Sequence, residues 1–261
     1  MKIAIYQNEN KLSKEVFDIV LNKVKEYNFD YDENNPEIVV FAGGDGTFLR
    51  AVQHYLDKVD TIKFVGVLTG TLGFFYDYSL DDIDDLFKDI KENKYKIFTH
   101  KLIDTCLYYE NGEIQNIYSI NEIRFENPFH TLICDVYVNN EKLETFRGNG
   151  LIVASSIGST AYNKSLGGAV VEHSIESLQL TEIASIQNSV YSSLDSSLVL
   201  SETSKITLKG NFSNTVLGFD YVNMDHNVID YIDISLSNKK VSLLRKPSYS
   251  YINKIKESLL K

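Results

Sequence analysis

The segment Ile38–Thr47, with the sequence IVVFAGGDGT, joins an apolar run to a glycine-rich turn. The apolar residues predict a buried β-strand, and the spacing of apolar residues in Thr47–Leu56 predicts a helix immediately after the turn. Glycines allow the backbone to approach a phosphate closely, and a helix N-terminus adds free N–H donors. We therefore predict a strand–turn–helix unit whose turn lies at the carboxyl end of a parallel strand, where ligands of open α/β sheets bind.

The residues around this segment alternate between strand-like and helix-like patterns, which predicts a parallel sheet with crossover helices. The predicted strands are Lys2–Tyr6, Glu37–Ala42 and Lys63–Leu68. The predicted helices are Leu12–Tyr27, Thr47–Leu56 and Leu80–Glu92, the last with Ser79 as its cap.

The pattern changes to paired strands near Tyr95. Asn111-Gly112 and Asn139-Asn140 each separate two β-type runs and predict hairpins. Further strands are predicted at Lys205–Lys209, Thr215–Phe219, Val228–Leu236 and Lys240–Leu244, and a final helix at Tyr249–Leu260. We predict an N-terminal Rossmann-like α/β domain, a β-rich, sandwich-like C-terminal domain and a last helix that could pack back on the first domain. The expected bounds are residues 1–97, 98–247 and 248–261.

Composition excludes several classes of function. The formal net charge of -10 argues against binding to nucleic acid and against docking on an anionic membrane. Cys106 and Cys134 lack the spacing of a zinc site or a disulfide framework, which favours two reduced thiols. The N-terminus shows no signal peptide, and no apolar stretch is long enough to span a bilayer. We expect a cytoplasmic protein.

Asp45 is the ionisable residue of the glycine-rich turn. Phosphoryl transfer to a sugar hydroxyl needs a group that accepts the hydroxyl proton, and a carboxylate can do so. In the simpler alternative, Asp45 only caps the helix that follows. The complete string Gly43-Gly44-Asp45-Gly46-Thr47 after a buried strand favours the functional interpretation, and the chain has no GxxxxGK[ST] segment of a P-loop.

This string resembles the GGDGT motif shared by NAD kinases, by diacylglycerol- and sphingosine-type lipid kinases and, more distantly, by 6-phosphofructokinases. The segment Gly148–Val171, GNGLIVASSIGSTAYNKSLGGAVV, narrows the choice. Its core, Gly158–Tyr162, followed by Ser165–Gly168, resembles the glycine-rich signature of NAD kinases. Asn121-Glu122 is similar to the pair with which that family holds its nucleotide, and Leu178–Ala184 resembles shorter bacterial members from Gram-positive lineages.

The resemblance implies transfer of a phosphate from ATP, or another phosphate donor, to the 2′-hydroxyl of the adenosine ribose of NAD. Asp45 would be the general base, and a divalent metal, Mg²⁺, would neutralise the donor phosphates without dedicated protein ligands. The remaining implied ligand contacts are Gly43, Gly44, Gly46, Thr47, Phe74, Asn121, Glu122, Arg147, Asn149, Ser159, Thr160, Ala161, Tyr162, Ser165 and Tyr221. By the same resemblance the enzyme would be a homodimer or homotetramer, and Arg147 could meet the ligand or a neighbouring subunit.

The sequence departs from the family at two places. Asn149 stands where members usually have Asp, and Ala154–Ile157 lacks the usual Thr-Pro before Gly158. We expect Asn149 to hydrogen-bond the dinucleotide through its amide oxygen, more weakly than a carboxylate would. Two alternatives stay open: a lipid kinase of the diacylglycerol type, which the Gly158–Tyr162 core disfavours, and a non-catalytic NAD(P)-binding sensor, which the change at Asn149 motivates.

Overall fold

The structure is a computed structural model that describes residues 1–7, 11–70 and 73–260, with the backbone alone for residues 11–14. The chain forms two compact units by internal contacts. The first comprises Met1–His100 together with Lys239–Lys261, and the second comprises Lys101–Asn238. Among the described residues, we find no helix of sufficient length and apolar character to cross a bilayer.

The first unit begins with alternating strands and helices. In chain order these are β1 (Lys2–Gln7), α1 (Lys11–Glu26), β2 (Asp30–Tyr31), β3 (Ile38–Gly43), α2 (Asp45–His54), β4 (Lys63–Leu68), β5 (Tyr76–Ser79) and α3 (Ile83–Lys91).

The strands that follow are β6 (Lys96–Tyr109), β7 (Ile114–Ser119), β8 (Glu122–Glu126), β9 (Leu132–Val138), β10 (Glu141–Gly148) and β11 (Gly150–Ser155). A 3-10 turn at Ile157–Thr160 and the short helix α4 (Tyr162–Ser165) interrupt them. The last elements are β12 (Ser177–Ile183), β13 (Leu198–Ser201), β14 (Lys205–Gly210), β15 (Val216–Phe219), β16 (Val222–Met224), β17 (Ile229–Arg245) and α5 (Tyr251–Leu259).

The sheet of the first unit is parallel. The strand β3 lies between β1 and β4, and β2 pairs with the outer side of β1. The end of β17 pairs with the start of β4, and β5 pairs with the second half of β4. Because β3 is central and its first five residues are buried, its carboxyl end at Gly43 is held on both sides by neighbouring strands.

Apolar side chains cover both faces of this sheet. One face packs with α1 and α3 through residues such as Val20 and Phe87, which are completely buried. On the other face, Phe48 of α2 packs against Phe41 and Phe75, with ring centroids 5.1 and 4.3 Å apart. The α2 helix is thereby fixed at the end of β3, and the turn before it is fixed with it.

The second unit contains antiparallel sheets. One has the order β13-β12-β11-β8-β15-β16, and in the other β10, β9, β14 and β17 are successive neighbours. Residues of both, including Phe125, Leu151, Phe146 and Ile206, belong to a single buried apolar cluster. This is sandwich packing, so the predicted fold class, an α/β part and a β-rich part, is confirmed.

The two predicted hairpins are also confirmed. The strands β6 and β7 pair in antiparallel fashion around Asn111-Gly112, and Gly112 has φ of 85°. The strands β9 and β10 pair around Asn139 and Asn140, whose φ angles of 52° and 70° are typical of a primed turn.

Two local predictions were wrong. The α3 helix begins at Ile83 rather than Leu80, and its N-cap is Asp82 rather than Ser79. Ser79 is the last residue of β5, and its backbone N–H donates to the Asp82 carboxylate at 3.3 Å. The predicted strands Val228–Leu236 and Lys240–Leu244 are parts of the single strand β17, because its polar middle residues continue the extended backbone instead of forming a turn.

Candidate functional site

The glycine-rich turn connects β3 to α2 as expected. Gly43 is packed so closely against Thr47 that a Cβ atom there would lie 2.1 Å from the Thr47 hydroxyl oxygen. Gly44 is the N-cap of α2 and is exposed. Apart from Gly44 and its two chain neighbours, no heavy atom of the described residues lies within 4 Å of the position that a Gly44 Cβ would take. The backbone of the turn therefore has open space beside Gly44, just before the N-terminus of α2.

The Asp45 carboxylate is turned away from its own helix. Its oxygen atoms accept hydrogen bonds from the backbone N–H of Phe74, at 3.0 and 3.1 Å, and of Phe75, at 3.2 Å. The simpler interpretation, in which Asp45 serves as the side-chain cap of α2, does not match this geometry. Asp45 is instead bonded to the segment between β4 and β5.

Burial raises the pKa of the Asp45 carboxyl group above its ordinary value. The two backbone hydrogen bonds and the positive charges of Lys254 and Arg245 oppose this effect. A partly buried carboxylate with a raised pKa is a stronger proton acceptor than an exposed one, and such groups are frequent at catalytic sites.

Two cations support the segment that holds Asp45, and sequence reasoning missed both. Arg245 is 1% exposed, and its Nη1 donates to the Phe74 carbonyl oxygen at 3.1 Å and contacts Asp77 Oδ1 at 3.3 Å. Lys254 Nζ, on α5, donates to the Tyr76 carbonyl oxygen. No local motif marks these residues, since Arg245 ends a long strand and Lys254 lies on a helix without glycines.

The two phenylalanines that follow Gly73 have different surroundings. Phe75 packs against Phe48 in the core of the unit, and its side chain is buried. Phe74 is also buried, while its backbone N–H faces Asp45 and its carbonyl oxygen faces Arg245. The dinucleotide contact predicted for Phe74 stays a prediction.

In the second unit, Asn121 and Glu122 lie where β7 passes into β8. Both side chains are buried, with exposures of 8% and 4%. Asn121 Oδ1 and Glu122 Oε2 have no hydrogen-bond partner among the described residues. Buried acceptors without partners are costly, and they are common where a ligand supplies the missing donors.

Burial is the main cause that raises the pKa of the Glu122 carboxyl group, from 4.5 to about 8. The negative charge of Asp220 adds to the shift, and Arg124, whose Nη1 lies 3.6 Å from Glu122 Oε1, opposes it. Below about pH 8 this carboxyl group is therefore protonated and has one O–H donor.

The glycine-rich loop that follows β11, which contains Gly158, is in direct contact with the Asn121-Glu122 pair. A Cβ atom at Gly158 would lie 1.9 Å from the Asn121 carbonyl oxygen, so only glycine fits here without moving the backbone. Ser155 Oγ donates to the Ile120 carbonyl oxygen at 2.6 Å and accepts from the Gly158 N–H at 3.2 Å. The Asn121-Glu122 pair and the glycine-rich segment Gly148–Val171 thus lie in one cluster.

Residues Ser159–Ser165 differ in their accessibility. Ser159 is completely buried, and its hydroxyl contacts the backbone of Ser156 and Val171, so its side chain shapes the loop rather than facing a ligand. Thr160 and Ala161 are partly exposed, and Ser165 is exposed. Tyr162 is 38% exposed, and its hydroxyl donates to Glu126 Oε1 at 3.0 Å.

The structure places Arg147 and Asn149 at the other end of β11 from Ser155. The Arg147 guanidinium lies over the Tyr191 ring, 4.4 Å from its centroid. Asn149 Nδ2 donates to the Asn127 carbonyl oxygen at 2.9 Å, a bond that an aspartate could not make. This contact leaves the Asn149 amide oxygen as the side-chain atom that could accept from a ligand.

The chain thus combines an α/β unit, whose glycine-rich turn carries a carboxylate, with a β-sandwich whose Gly/Ser loop packs on an Asn-Glu pair. The family model described as ATP-NAD kinase N-terminal domain matches residues 5–95, and the one described as ATP-NAD kinase C-terminal domain matches residues 121–246. The chain belongs to the ATP-NAD kinase family.

Individual relatives agree with this assignment. The chain is 39% identical over 209 residues to the NAD kinase of Limosilactobacillus reuteri, covering 80% of this chain and 77% of that one. It is 34% identical to the NAD kinase of Latilactobacillus sakei, covering 100% and 98%.

Two solved structures share the fold. The yeast NADH kinase complexed with NADH has a TM-score of 0.84 at 20% identity, covering 100% of this chain and 87% of that one. The NAD kinase from Archaeoglobus fulgidus in complex with ATP has a TM-score of 0.78 at 21% identity, covering 98% and 99%.

Proposed function

We propose that this chain transfers the γ-phosphate of ATP to the 2′-hydroxyl of the adenosine ribose of NAD, giving NADP and ADP. The observation that carries the proposal is the Asp45 carboxylate, which is held by two backbone N–H groups at the end of β3. Membership of the ATP-NAD kinase family supports the choice of NAD as acceptor and ATP as donor.

In the proposed reaction, the ribose oxygen attacks the γ-phosphorus. The bond between this phosphorus and the leaving oxygen of ADP breaks, and the hydroxyl proton passes to Asp45. The raised pKa of the Asp45 carboxyl group favours this proton transfer. Gly43, Gly44, Gly46 and Thr47, with the first N–H groups of α2, would bind the donor phosphates. Open space beside Gly44 is compatible with that role.

We propose that Mg²⁺ enters with the donor triphosphate. Within residues 1–7, 11–70 and 73–260 there is no group of three His, Cys, Asp or Glu side chains that could hold a metal ion. A magnesium ion bound mainly by phosphate oxygens and water fits such a protein, because Mg²⁺ keeps several waters and needs few protein ligands. Its chemistry would be charge neutralisation on the transferred phosphate.

The dinucleotide would bind through the unpartnered oxygen atoms Asn121 Oδ1 and Glu122 Oε2. Thr160, Ala161 and Ser165 present accessible backbone and hydroxyl groups, and the exposed face of Tyr162 offers an aromatic surface for a base. Phe74, Arg147, Asn149 and Tyr221 complete the proposed contacts.

We also propose a cytoplasmic homodimer or homotetramer. The free thiols Cys106 and Cys134 suit a reducing compartment. Phe129 and Val190 of the second unit are 86% and 77% exposed, so they are apolar side chains that a neighbouring subunit could cover. Sedimentation analysis at micromolar concentration tests this proposal, and a monomer alone would contradict it.

The activity is tested by incubating the purified protein with Mg-ATP and either NAD or diacylglycerol, and measuring NADP with an NADP-specific dehydrogenase. We expect NADP from NAD and no lipid phosphate. If NAD binds in calorimetry but no NADP forms with ATP or polyphosphate, the chain is a sensor. Phosphorylation of the lipid would instead identify a lipid kinase.

A further inference from the structure

Asp220 is a buried aspartate that the proposed reaction leaves without a role. It lies in the tight turn between β15 and β16, has φ of 46°, and is 8% exposed. Left-handed backbone is uncommon for residues other than glycine, although Asp and Asn tolerate it. The conformation of this turn directs the carboxylate into the unit rather than into solvent.

The carboxylate contacts the backbone that carries Asn121 and Glu122. The Ile120 N–H donates to both Asp220 oxygens, at 3.1 and 3.0 Å, and the Asn121 N–H donates to Oδ1 at 2.8 Å. In return, the Asp220 N–H donates to the Glu122 carbonyl oxygen at 3.2 Å. Because a carboxylate only accepts hydrogen bonds, it fits two adjacent N–H donors better than an amide would.

The opposite side of the same segment is held by the glycine-rich loop. Ser155 Oγ donates to the Ile120 carbonyl oxygen, and the Ser155 N–H donates to that of Asn121 at 2.9 Å. Asp220 thus holds the amide side of residues 120–121, and β11 with its following turn holds the carbonyl side. Fixed in this way, the side chains of Asn121 and Glu122 keep oxygen atoms without partners inside the unit.

We propose that Asp220 is a positioning residue for the dinucleotide: its carboxylate fixes the backbone of residues 120–121 so that Asn121 and Glu122 present their unpartnered side-chain oxygen atoms to NAD. This inference rests on the proposed function of that pair. Preorganised groups bind ligand without first being ordered, so loss of the carboxylate should weaken NAD binding more than it slows phosphoryl transfer.

Two variants separate the carboxylate from the fold of the turn. Asp220→Asn keeps the size of the side chain and the tolerance for left-handed backbone, but places an NH₂ group against an N–H donor. Asp220→Gly removes the side chain, and glycine adopts a φ of 46° without strain. Asp225→Asn is the matched control, because Asp225 follows β16, is exposed and undergoes the same loss of charge.

We expect both Asp220 variants to raise the KM for NAD about tenfold or more, since hydrogen bonds to a charged group are lost. The kcat at saturating NAD and the KM for ATP should stay within about twofold, a split that simple loss of folded enzyme would not produce. Hydrogen exchange of the amides of residues 120 and 121 should be faster in these variants and unchanged in Asp225→Asn.

A KM for NAD within twofold of wild type in either folded Asp220 variant would overturn the inference, as would unchanged amide exchange. If Asp220→Asn does not fold, Asp220→Gly alone decides. Binding of NAD measured by calorimetry keeps the test independent of turnover. A wild-type protein that binds NAD without forming NADP would refute the kinase proposal and leave the role of Asp220 to be decided by the dissociation constants.

Discussion

Replacing Glu122 with Gln should change the pH dependence of stability. The Glu122 carboxyl group is 4% exposed, and burial, with the charge of Asp220, raises its pKa from 4.5 to about 8. Gln has nearly the same shape and no charge at any of these pH values. The variant therefore removes one titration and leaves the packing around β8 almost unchanged.

The size of the effect follows from the two pKa values. Above about pH 4.5 the unfolded chain releases this proton, whereas the folded chain keeps it until about pH 8. The folded state binds more protons in this window, so the free energy of unfolding falls as the pH rises through it. The full shift lowers the free energy of unfolding of the wild type by up to about 5 kcal/mol. This destabilisation is absent below the window and complete above it.

Urea denaturation followed by far-UV circular dichroism measures this, since the chain has no tryptophan for fluorescence. The free energy of unfolding of Glu122→Gln minus that of wild type should rise steadily from pH 5 to pH 8 and then level off. Glu110→Gln, an exposed position in the same unit, is the control and should give a flat difference. A flat or falling difference for Glu122→Gln would refute the reasoning.

Two other variants test the candidate site, and a third tests the pH dependence of stability. Asp45→Asn should lower NADP formation by about 10²–10⁴-fold, the usual contribution of a general base, with NAD binding in calorimetry nearly unchanged; full activity would exclude Asp45 as the base. Gly158→Ala should raise the dissociation constant for NAD at least about tenfold, because its methyl group would lie 1.9 Å from the Asn121 carbonyl oxygen; unaltered binding would show that the loop can move. Burial and Glu182 raise the pKa of Glu144 to about 7, so Glu144→Gln should gain stability relative to wild type between pH 5 and pH 8 in urea denaturation, and a constant difference would contradict this.

Much of the fold was predictable because local patterns and tertiary packing agree. The buried run Ile38–Ala42 ends at Gly43, where a larger residue does not fit because a Cβ atom would lie 2.1 Å from the Thr47 hydroxyl oxygen. The Asn139-Asn140 turn was predictable for a similar reason, since few residues tolerate its positive φ angles. The prediction of Ser79 as a helix cap was wrong. A hydroxyl residue before an apolar periodic run is typical of a cap, whereas the place of Ser79 at the end of β5 depends on the pairing of β5 with β4.

The supporting residues of the candidate site could not be predicted from local sequence. Arg245 and Lys254 contact the Phe74–Tyr76 backbone across more than a hundred and sixty residues of chain, through single side chains without a spacing rule. The hydrogen bonds of Asp220 to the backbone of residues 120–121 likewise follow from tertiary structure, through the pairing of β15 with β8. Motifs identify groups that face a ligand, while the residues that hold them are determined by tertiary structure.

The two carboxyl groups at the centre of the proposal, the partly buried Asp45 and the buried Glu122, have different surroundings. Asp45 faces two N–H donors and the charges of Arg245 and Lys254, all of which favour its anion although burial raises its pKa. Glu122 lies beside the negative Asp220, and its Oε2 has no partner among the described residues. The anion of Asp45 is therefore stabilised by direct contacts although its pKa is raised, whereas Glu122 keeps a proton and can donate a hydrogen bond to a ribose hydroxyl or a carbonyl group. Raising the pH through 8 should turn Glu122 from donor to acceptor while the hydrogen bonds of Asp45 persist.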